Sequence, residues 1–249
     1  MSRWRAFAIH FAISVAVFLL LLTIILVFWF PGILFNIDGG WTGLRIIIGV
    51  DLVLGPLLTL VVFKAGKPGL KFDLTCIGVF QAVCLLGGMW IVHSERPLAL
   101  VFAYDTVYSL GADEFREYGK DPAVLDDFPG GYPKRVYTEL PDNDISADIV
   151  NIRSQFMGDP LFMQTERYRA MPESGLAELF RREANTRVLV NDEVRNELQD
   201  DCLFARFVSG VTSGYVCVDA QSGRLKKFYP QDATAVAESA ELAIDAAEV

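Results

Sequence analysis

A run of 25 residues without a charged side chain, residues 6 to 30 (AFAIHFAISVAVFLLLLTIILVFWF), constrains this chain more than any other feature. About 20 consecutive apolar residues are enough to cross the ~30 Å hydrocarbon core of a bilayer as a helix. The preceding segment, MSRWR, would also suit a secretory signal peptide. The run is longer than the ~7–15 apolar residues of a signal peptide, however, and no small-x-small cleavage site follows it. We therefore predict a membrane-spanning helix.

Two further apolar runs, residues 43 to 63 and 72 to 93, are each about long enough to cross a bilayer. The loop between them, KAGKPGLK, carries three lysines, whereas the connection after the first run, PGILFNIDGGWT, carries no Lys or Arg. Basic loops stay on the cytoplasmic side of a membrane. We predict that the N-terminus and the lysine loop are cytoplasmic and that everything after the third span lies outside.

Charge divides the chain into a membrane part and a water-soluble part. Residues 1 to 93 hold six Lys or Arg and three acidic side chains, a net of +3, whereas the rest of the chain holds 16 and 28, a net of −12. We predict a transmembrane domain over residues 1 to 95, an outer domain over residues 96 to 230 and an acidic, Ala-rich tail over residues 231 to 249. The acidic balance argues against a nucleic-acid partner, because phosphate backbones attract basic surfaces.

Strands are predicted at both ends of the outer domain. β-Branched and aromatic residues indicate strands at about residues 99 to 109 and 134 to 139. Three later segments, CLFARFVSG, SGYVCVDA and GRLKKFY, are separated by Gly or Ser turns, which is typical of an antiparallel meander. The predicted fold class is a three-helix transmembrane bundle followed by a mixed α+β soluble domain with a C-terminal antiparallel meander.

Helices are predicted between these strands. A short helix is expected over residues 112 to 118, and two more over PESGLAELFRREANTR, which Pro172 opens, and VLVNDEVRNELQ. One apolar helical face is indicated by four residues spaced three or four apart: Ile145, Ile149, Ile152 and Phe156.

Cys202 and Cys217 are expected to face one another on neighbouring strands of the meander. Because the domain is predicted to lie outside, in an oxidising compartment, a structural disulfide between them is a candidate. Such a bond, closing a loop of about 15 residues, would contribute roughly 3 kcal/mol. Cys76 and Cys84 lie within the third span, where small apolar packing is the expected role.

Asp51 and the Gly55-Pro56 step interrupt the second span. A carboxylate is costly in lipid, and proline removes a backbone donor from a helix. Three internal partners are open to Asp51: Arg45 by snorkelling, backbone groups on the Thr59 side that Pro56 frees, or a group on the third span. Pro56 is expected to free the carbonyl four residues earlier and to kink the helix.

Small residues repeat at four-residue spacing on the first and third spans, and such stripes let helix backbones approach closely in lipid. They hold the three helices to each other or receive a helix from another protein. The residues are Ala8, Ala12 and Ala16, then Gly78 with Ala82, and Cys84 with Gly88.

No pattern in the chain indicates catalysis, a metal site or a cofactor. The chain has two histidines, His10 and His93, and neither lies in the outer domain, which removes the commonest general base. We find no phosphate loop, GxSxG, HExxH or dinucleotide fingerprint. We therefore expect a binding protein rather than an enzyme.

Three segments carry a resemblance to a known family: GGWTGLRIIIGVDLVLGPLLTLVVFKAGKPGLKFDL (39 to 74), RPLALVFAYDTVYSL (96 to 110) and PKRVYTELP (133 to 141). With them, the chain resembles the type IV pilin accessory proteins of the TfpX/TfpZ type, with FimB as a related name. The resemblance covers nearly the whole chain. It implies an inner-membrane protein of Gram-negative bacteria with a periplasmic outer domain, which aids the stability or assembly of a major pilin.

The resemblance supplies no catalytic residues, so the matching stretch gives only partner-binding candidates: Arg45, Asp51, Gly55 and Pro56. The implied partners are the transmembrane helix and head domain of a type IV major pilin, the lipid bilayer and other pilus assembly proteins. In this setting Asp51 has a fourth partner, a polar group on the pilin helix at matching depth. The alternatives from other classes are a membrane sensor with a ligand-binding outer domain and a transporter subunit that uses Asp51 as a proton or ion site.

Overall fold

The computed structural model describes residues 2–172, 176–180 and 202–230. The chain divides into two compact units, Met1–Arg96 and Pro97–Val249. The first unit is helical and the second combines helices with a sheet, as the sequence predicted. The predicted helix VLVNDEVRNELQ and the tail over residues 231 to 249 lie outside the described residues.

Three of the described helices are long and apolar enough to cross a membrane: Arg3–Trp29, Gly43–Val62 and Leu70–Ser94. We refer to them as the first, second and third apolar helix. The first consists of α1 (Arg3–Ile24) and a π-helical end (Ile25–Trp29). The third is the single helix α5 (Leu70–Ser94).

The second apolar helix is built from three parts. After the short helix α2 (Leu34–Ile37), the chain forms α3 (Gly40–Ile47), a π-helical segment (Ile48–Leu54) and α4 (Gly55–Val62). Helix α4 packs against α1, and α3 packs against α5. The second apolar helix therefore contacts both of the others.

Apolar packing concentrates at one end of this helical unit. Val92 of α5 is buried, and a Cβ built on Gly43 would overlap its side chain, so only glycine allows this approach of α3 to α5. The rest of the buried cluster comes from the other two helices and the segment between them: Ile25, Phe30, Phe35, Leu44 and Ile47.

The small-residue stripes do not hold the three helices together as a set. The side chains of Ala8, Ala12 and Ala16 are exposed, and Gly78 and Ala82 are exposed as well. Buried positions on α1 lie on its other side, at Ala6 and Ser14. Only Gly88 among the stripe residues is buried.

The second unit contains a mixed sheet whose seven described strands follow the order β4-β3-β1-β2-β5-β6-β7. The pairs β1–β3 and β2–β5 are parallel, and the remaining neighbours are antiparallel. The strands are β1 (Ala99–Ala103), β2 (Thr106–Leu110), β3 (Lys134–Thr138), β4 (Tyr168–Ala170), β5 (Cys202–Val208), β6 (Ser213–Asp219) and β7 (Leu225–Pro230).

The single strand predicted over residues 99 to 109 is in fact a hairpin. Tyr104 adopts φ 62° between β1 and β2, which is uncommon for a residue other than glycine. Its hydroxyl donates a hydrogen bond of 2.5 Å to Oδ1 of Asp148. No Gly or Asn marks this turn, so the sequence pattern gave no sign of it.

Helices α6 (Ala112–Glu117), α7 (Asp144–Phe156) and α8 (Leu176–Leu179) connect the strands. The side chain of Asn143 accepts a hydrogen bond from the backbone N–H of Ser146 and so caps α7. The core of this unit contains β1, and its fully buried side chains include Val101, Phe115, Leu125, Val136 and Met163.

Strands β5, β6 and β7 form the antiparallel meander, and Cys202 and Cys217 are joined by a disulfide with Cα atoms 5.3 Å apart. The two cysteines are diagonal rather than directly opposite: Cys202 pairs with Asp219, and Cys217 pairs with Phe204.

Asp219 ends β6 and organises the turn to β7. Its Oδ1 accepts from the backbone N–H and hydroxyl of Ser222, at 2.6 and 2.8 Å, and its Oδ2 lies 2.6 Å from Nζ of Lys226. The Lys226 ammonium, with the Ser222 donors, holds the pKa of Asp219 well below its usual range.

We expect Asp219→Asn to lower the melting temperature of the full chain at neutral pH and to flatten its dependence on acid. A depressed carboxylate pKa stabilises the folded state above the unfolded pKa of about 3.9, and this stability is lost as the pH falls below it. Thermal unfolding between pH 3 and pH 7 checks this. Equal pH dependence of the native chain and the variant would contradict it, and Asp127→Asn, at an exposed position, is the control.

Candidate functional site

A pair of polar side chains joins the second and third apolar helices. Nε2 of Gln81, on α5, donates to Oδ1 of Asp51 at 3.0 Å and lies 3.4 Å from the Asp51 carbonyl oxygen. Both side chains are buried. Three internal partners were considered for Asp51, and the one that lies beside it in the structure is a side chain of the third apolar helix, Gln81.

The π-helical segment explains why one amide can serve both oxygens. In a π-helix the N–H of residue i bonds to the carbonyl of residue i−5, as Gly55 does to Val50. In this register Pro56 would bond to Asp51, but proline has no N–H. In this register the carbonyl of Asp51 is therefore left without its helical donor, and Gln81 lies beside it.

Gly55 makes room for this amide. A Cβ built on Gly55 would overlap the side-chain amide of Gln81, whereas a Cβ on Gly49, in the same helix, would meet nothing within 4 Å. Gly55 and Pro56 are both buried. The Gly55-Pro56 step thus has two local effects, because the glycine admits the amide and the proline leaves a carbonyl for it.

A second polar pair joins the first and second apolar helices. Nδ1 of His10, on α1, lies 2.6 Å from Oγ1 of Thr59, which is buried on α4. The four polar side chains Asp51, Gln81, His10 and Thr59 are named here the polar cluster. It contains one residue from each of the flanking helices and two from the central one.

One acceptor of the polar cluster lacks a partner. Among the described residues, Oδ2 of Asp51 is buried and has no hydrogen-bond partner. A buried acceptor of this kind costs about 1–3 kcal/mol, and more when it is charged. Chemically, Asp51 can take up one further hydrogen-bond donor or a proton.

The chain is similar to curated fimbrial assembly proteins of Dichelobacter nodosus. It is 32% identical over 124 residues to the fimbrial assembly protein of serogroups C1 and C2, a match that covers 49% of this chain and 88% of that protein. The chain belongs to this family of fimbrial assembly proteins. No family model matches it, and no solved structure matches it significantly.

Other members of the fimbrial assembly family are longer than the matched region. The chain is 31% identical over 129 residues to the serogroup I protein, a match that covers 51% of this chain and 47% of that protein. The serogroup E1 protein gives the same identity and the same shares. The chain therefore spans about half the length of these two curated relatives.

Three of the four partner-binding candidates come together in this member of the family. Asp51, Gly55 and Pro56 are buried within the helical unit, whereas Arg45 is exposed on α3. The described residues show no ion pair between Arg45 and Asp51. Sequence reasoning did not name Gln81, although an amide in a run of apolar residues is a signal of the same kind as Asp51.

Within the described ranges, no three His, Cys, Asp or Glu side chains gather in a way that could hold a metal ion. The geometry of the polar cluster is that of hydrogen-bonded bridges between helices.

Proposed function

We propose that this chain is a pilin accessory protein of the TfpX/TfpZ type, related to FimB, which binds a type IV pilin and supports its stability or assembly into pili. The similarity to a protein named as a fimbrial assembly protein, over 88% of that protein's length, carries this proposal. The chain acts by binding, as a chaperone-like partner, and not as an enzyme.

The proposed location is the inner membrane of a Gram-negative bacterium. The three apolar helices have the length and composition of membrane spans. The lysines of the loop between α4 and α5 favour a cytoplasmic position for that loop and for the N-terminus. The second unit is then periplasmic, and a disulfide between Cys202 and Cys217 suits that oxidising compartment.

The proposed contact for the pilin's apolar helix is the stripe of Ala8, Ala12 and Ala16. These side chains are exposed on α1, so they are open to a helix from another protein. In lipid, helices associate where small residues let backbones approach, because apolar side chains gain little by leaving lipid tails. The polar cluster, in this proposal, fixes the three helices so that the stripe is presented as one straight ridge.

A second contact is favoured by Oδ2 of Asp51, which has no partner among the described residues. A donor on the pilin helix at similar depth, such as its N-terminal amine, would satisfy this oxygen if α1 or α5 moves aside. Such a contact would explain why residue 51 is an aspartate. An asparagine at this position could accept the hydrogen bond from Gln81 equally well.

We expect Asp51→Asn to preserve membrane insertion and to weaken pilin binding several-fold. The Asn carbonyl can still accept from Gln81, whereas the second carboxyl oxygen, which would accept from the pilin, is replaced by an amide NH2 donor. Co-purification of the full-length variant with the pilin, with carbonate extraction of membranes as the insertion control, checks this. Unchanged pilin binding of the inserted variant would assign Asp51 to internal pairing with Gln81 alone.

The function is tested by site-specific photo-crosslinking in cells that express the cognate pilin. A crosslinker at Ala8, Ala12 or Ala16 is expected to capture the pilin's apolar helix, and one at exposed positions of the second unit its head domain. A crosslinker at Val61, exposed on α4, is the matched control. Absence of pilin adducts from both units would refute the proposal.

A further inference from the structure

Helix α7 (Asp144–Phe156) exposes an apolar stripe that the sequence alone would place against a core. Ile145, Ile149, Ile152 and Phe156 are between 54% and 87% exposed. The side of α7 that contacts its own unit is formed by small or polar residues, Ala147 and Ser154, with Val150 against the core. Four large apolar side chains in a row on a soluble surface mark an interaction site.

The spacing of these residues specifies what the stripe fits. They follow one another at four, three and four residues, which is the heptad spacing of a coiled-coil seam, with Ile149 and Phe156 at a positions and Ile145 and Ile152 at d positions. The buried Ala147 and Ser154 then occupy the f positions, directly opposite the seam. The stripe is therefore a narrow seam for another helix and not a broad apolar face.

Charge beside the seam favours a second copy of the same helix. Asp148 lies at a g position, and Arg153 lies at the e position five residues later. In a parallel pair, a residue at a g position of one helix lies beside the residue at the following e position of the other helix. Two identical parallel helices would therefore place Asp148 beside Arg153 twice. An antiparallel pair would place Asp148 beside Asp148. Tyr104 holds Asp148 by a hydrogen bond, and a carboxylate can accept further donors.

The same charges disfavour a lipid surface as the occupant. Helices that lie in the membrane interface carry Lys and Arg on their polar face. The charged residues of α7 are Asp144, Asp148 and Arg153, a net of −1.

We propose that this chain forms a homodimer in which the α7 helices of two copies pair in parallel through Ile145, Ile149, Ile152 and Phe156. Helix α7 has 13 residues, about two heptads, which is too short for a stable free coiled coil. Membrane anchoring, which this inference takes from the proposed function, confines two copies to one bilayer and raises their effective concentration.

The dimer is tested by cysteine crosslinking of the full chain in native membranes, in cells that lack the pilin. The parent carries Cys76→Ala and Cys84→Ala, and single cysteines are placed at the seam by Ile145→Cys, Ile149→Cys, Ile152→Cys or Phe156→Cys. Val211→Cys, also an exposed apolar position, measures random collision. Each seam variant is expected to give several-fold more dimer than Val211→Cys. Arg153→Glu, added to Ile149→Cys, is expected to reduce the dimer several-fold, and Arg153→Lys is expected to retain it.

Three outcomes would overturn the parallel homodimer. Seam variants that crosslink no more than Val211→Cys would exclude self-pairing. Adducts that form only between co-expressed Ile145→Cys and Phe156→Cys chains would show an antiparallel pair, and adducts with a different protein only would assign the seam elsewhere. The absence of pilin separates this result from the proposed function, because a dimer can form whether or not the pilin binds. Carbonate extraction reports anchoring independently.

Discussion

Gly55→Ala is expected to destabilise the helical unit by about 2–5 kcal/mol, although alanine is the better helix former. The new methyl group would occupy the place of the Gln81 amide, which must then turn away. Its departure leaves both the Oδ1 and the backbone carbonyl of the buried Asp51 without the Gln81 donor. The loss of stability therefore has two causes, overpacking by the new methyl group and two buried acceptors without a donor.

Gly49→Ala is the matched control for this variant. Gly49 lies in the same helix, and a Cβ there meets nothing within 4 Å, so only the gain in helix propensity of up to about 1 kcal/mol remains. Thermal unfolding of the purified full chain in detergent, together with its steady-state level in membranes, measures the difference. Equal stability of the two alanine variants would show that the Gln81 amide contributes little.

Under the proposed function, Ala12→Phe is expected to reduce pilin binding by at least about tenfold, because one aromatic ring would keep the backbones of α1 and the pilin helix apart. Ala12 is exposed on α1, so the ring points away from α4 and α5 and the helical unit should keep its stability. Binding and stability should thus separate, in contrast to Gly55→Ala. Co-purification with the pilin and thermal unfolding of the same preparation measure the two quantities.

Val61→Phe controls for the added ring, since Val61 is the most exposed large apolar residue of α4. It is expected to leave pilin binding unchanged. If Ala12→Phe and Val61→Phe bind the pilin equally well, the alanine stripe is not the contact. If both lose binding, the effect belongs to the aromatic ring in lipid and not to its position.

The apolar helices could be predicted from sequence because lipid-crossing length and the absence of charge are local properties. The predicted spans 6 to 30, 43 to 63 and 72 to 93 match the observed helices within a few residues. The strands of the meander could also be predicted, because their sequence signals, alternating side chains and Gly or Ser turns, are local as well. The hairpin at Tyr104 was missed because its turn uses a residue whose positive φ no pattern announces.

The polar cluster could be predicted only in part. Asp51 stood out as a charge in an apolar run, but its partner Gln81 is 30 residues away, and the choice among several polar groups depends on helix rotation. The π-helical register rotates the residues before Gly55 relative to an α-helix, and no residue type signals it. The apolar face of α7 was likewise visible in the residue spacing. The sequence could not predict whether this face is buried or exposed, because that depends on which side of the helix packs against the rest of its unit.

The parallel pairing of β2 with β5 has a consequence for the order of folding during synthesis. Strand β1 begins five residues after α5 ends, so the centre of the sheet is made first. Arg206 of β5, however, pairs with Thr106 of β2, exactly one hundred positions earlier in the chain. The edge of β2 must therefore wait until nearly the whole domain has been synthesised, and non-local pairing of this kind is slow. Until then β2 is an open strand edge, and protection of that edge becomes a requirement of the protein's own biogenesis.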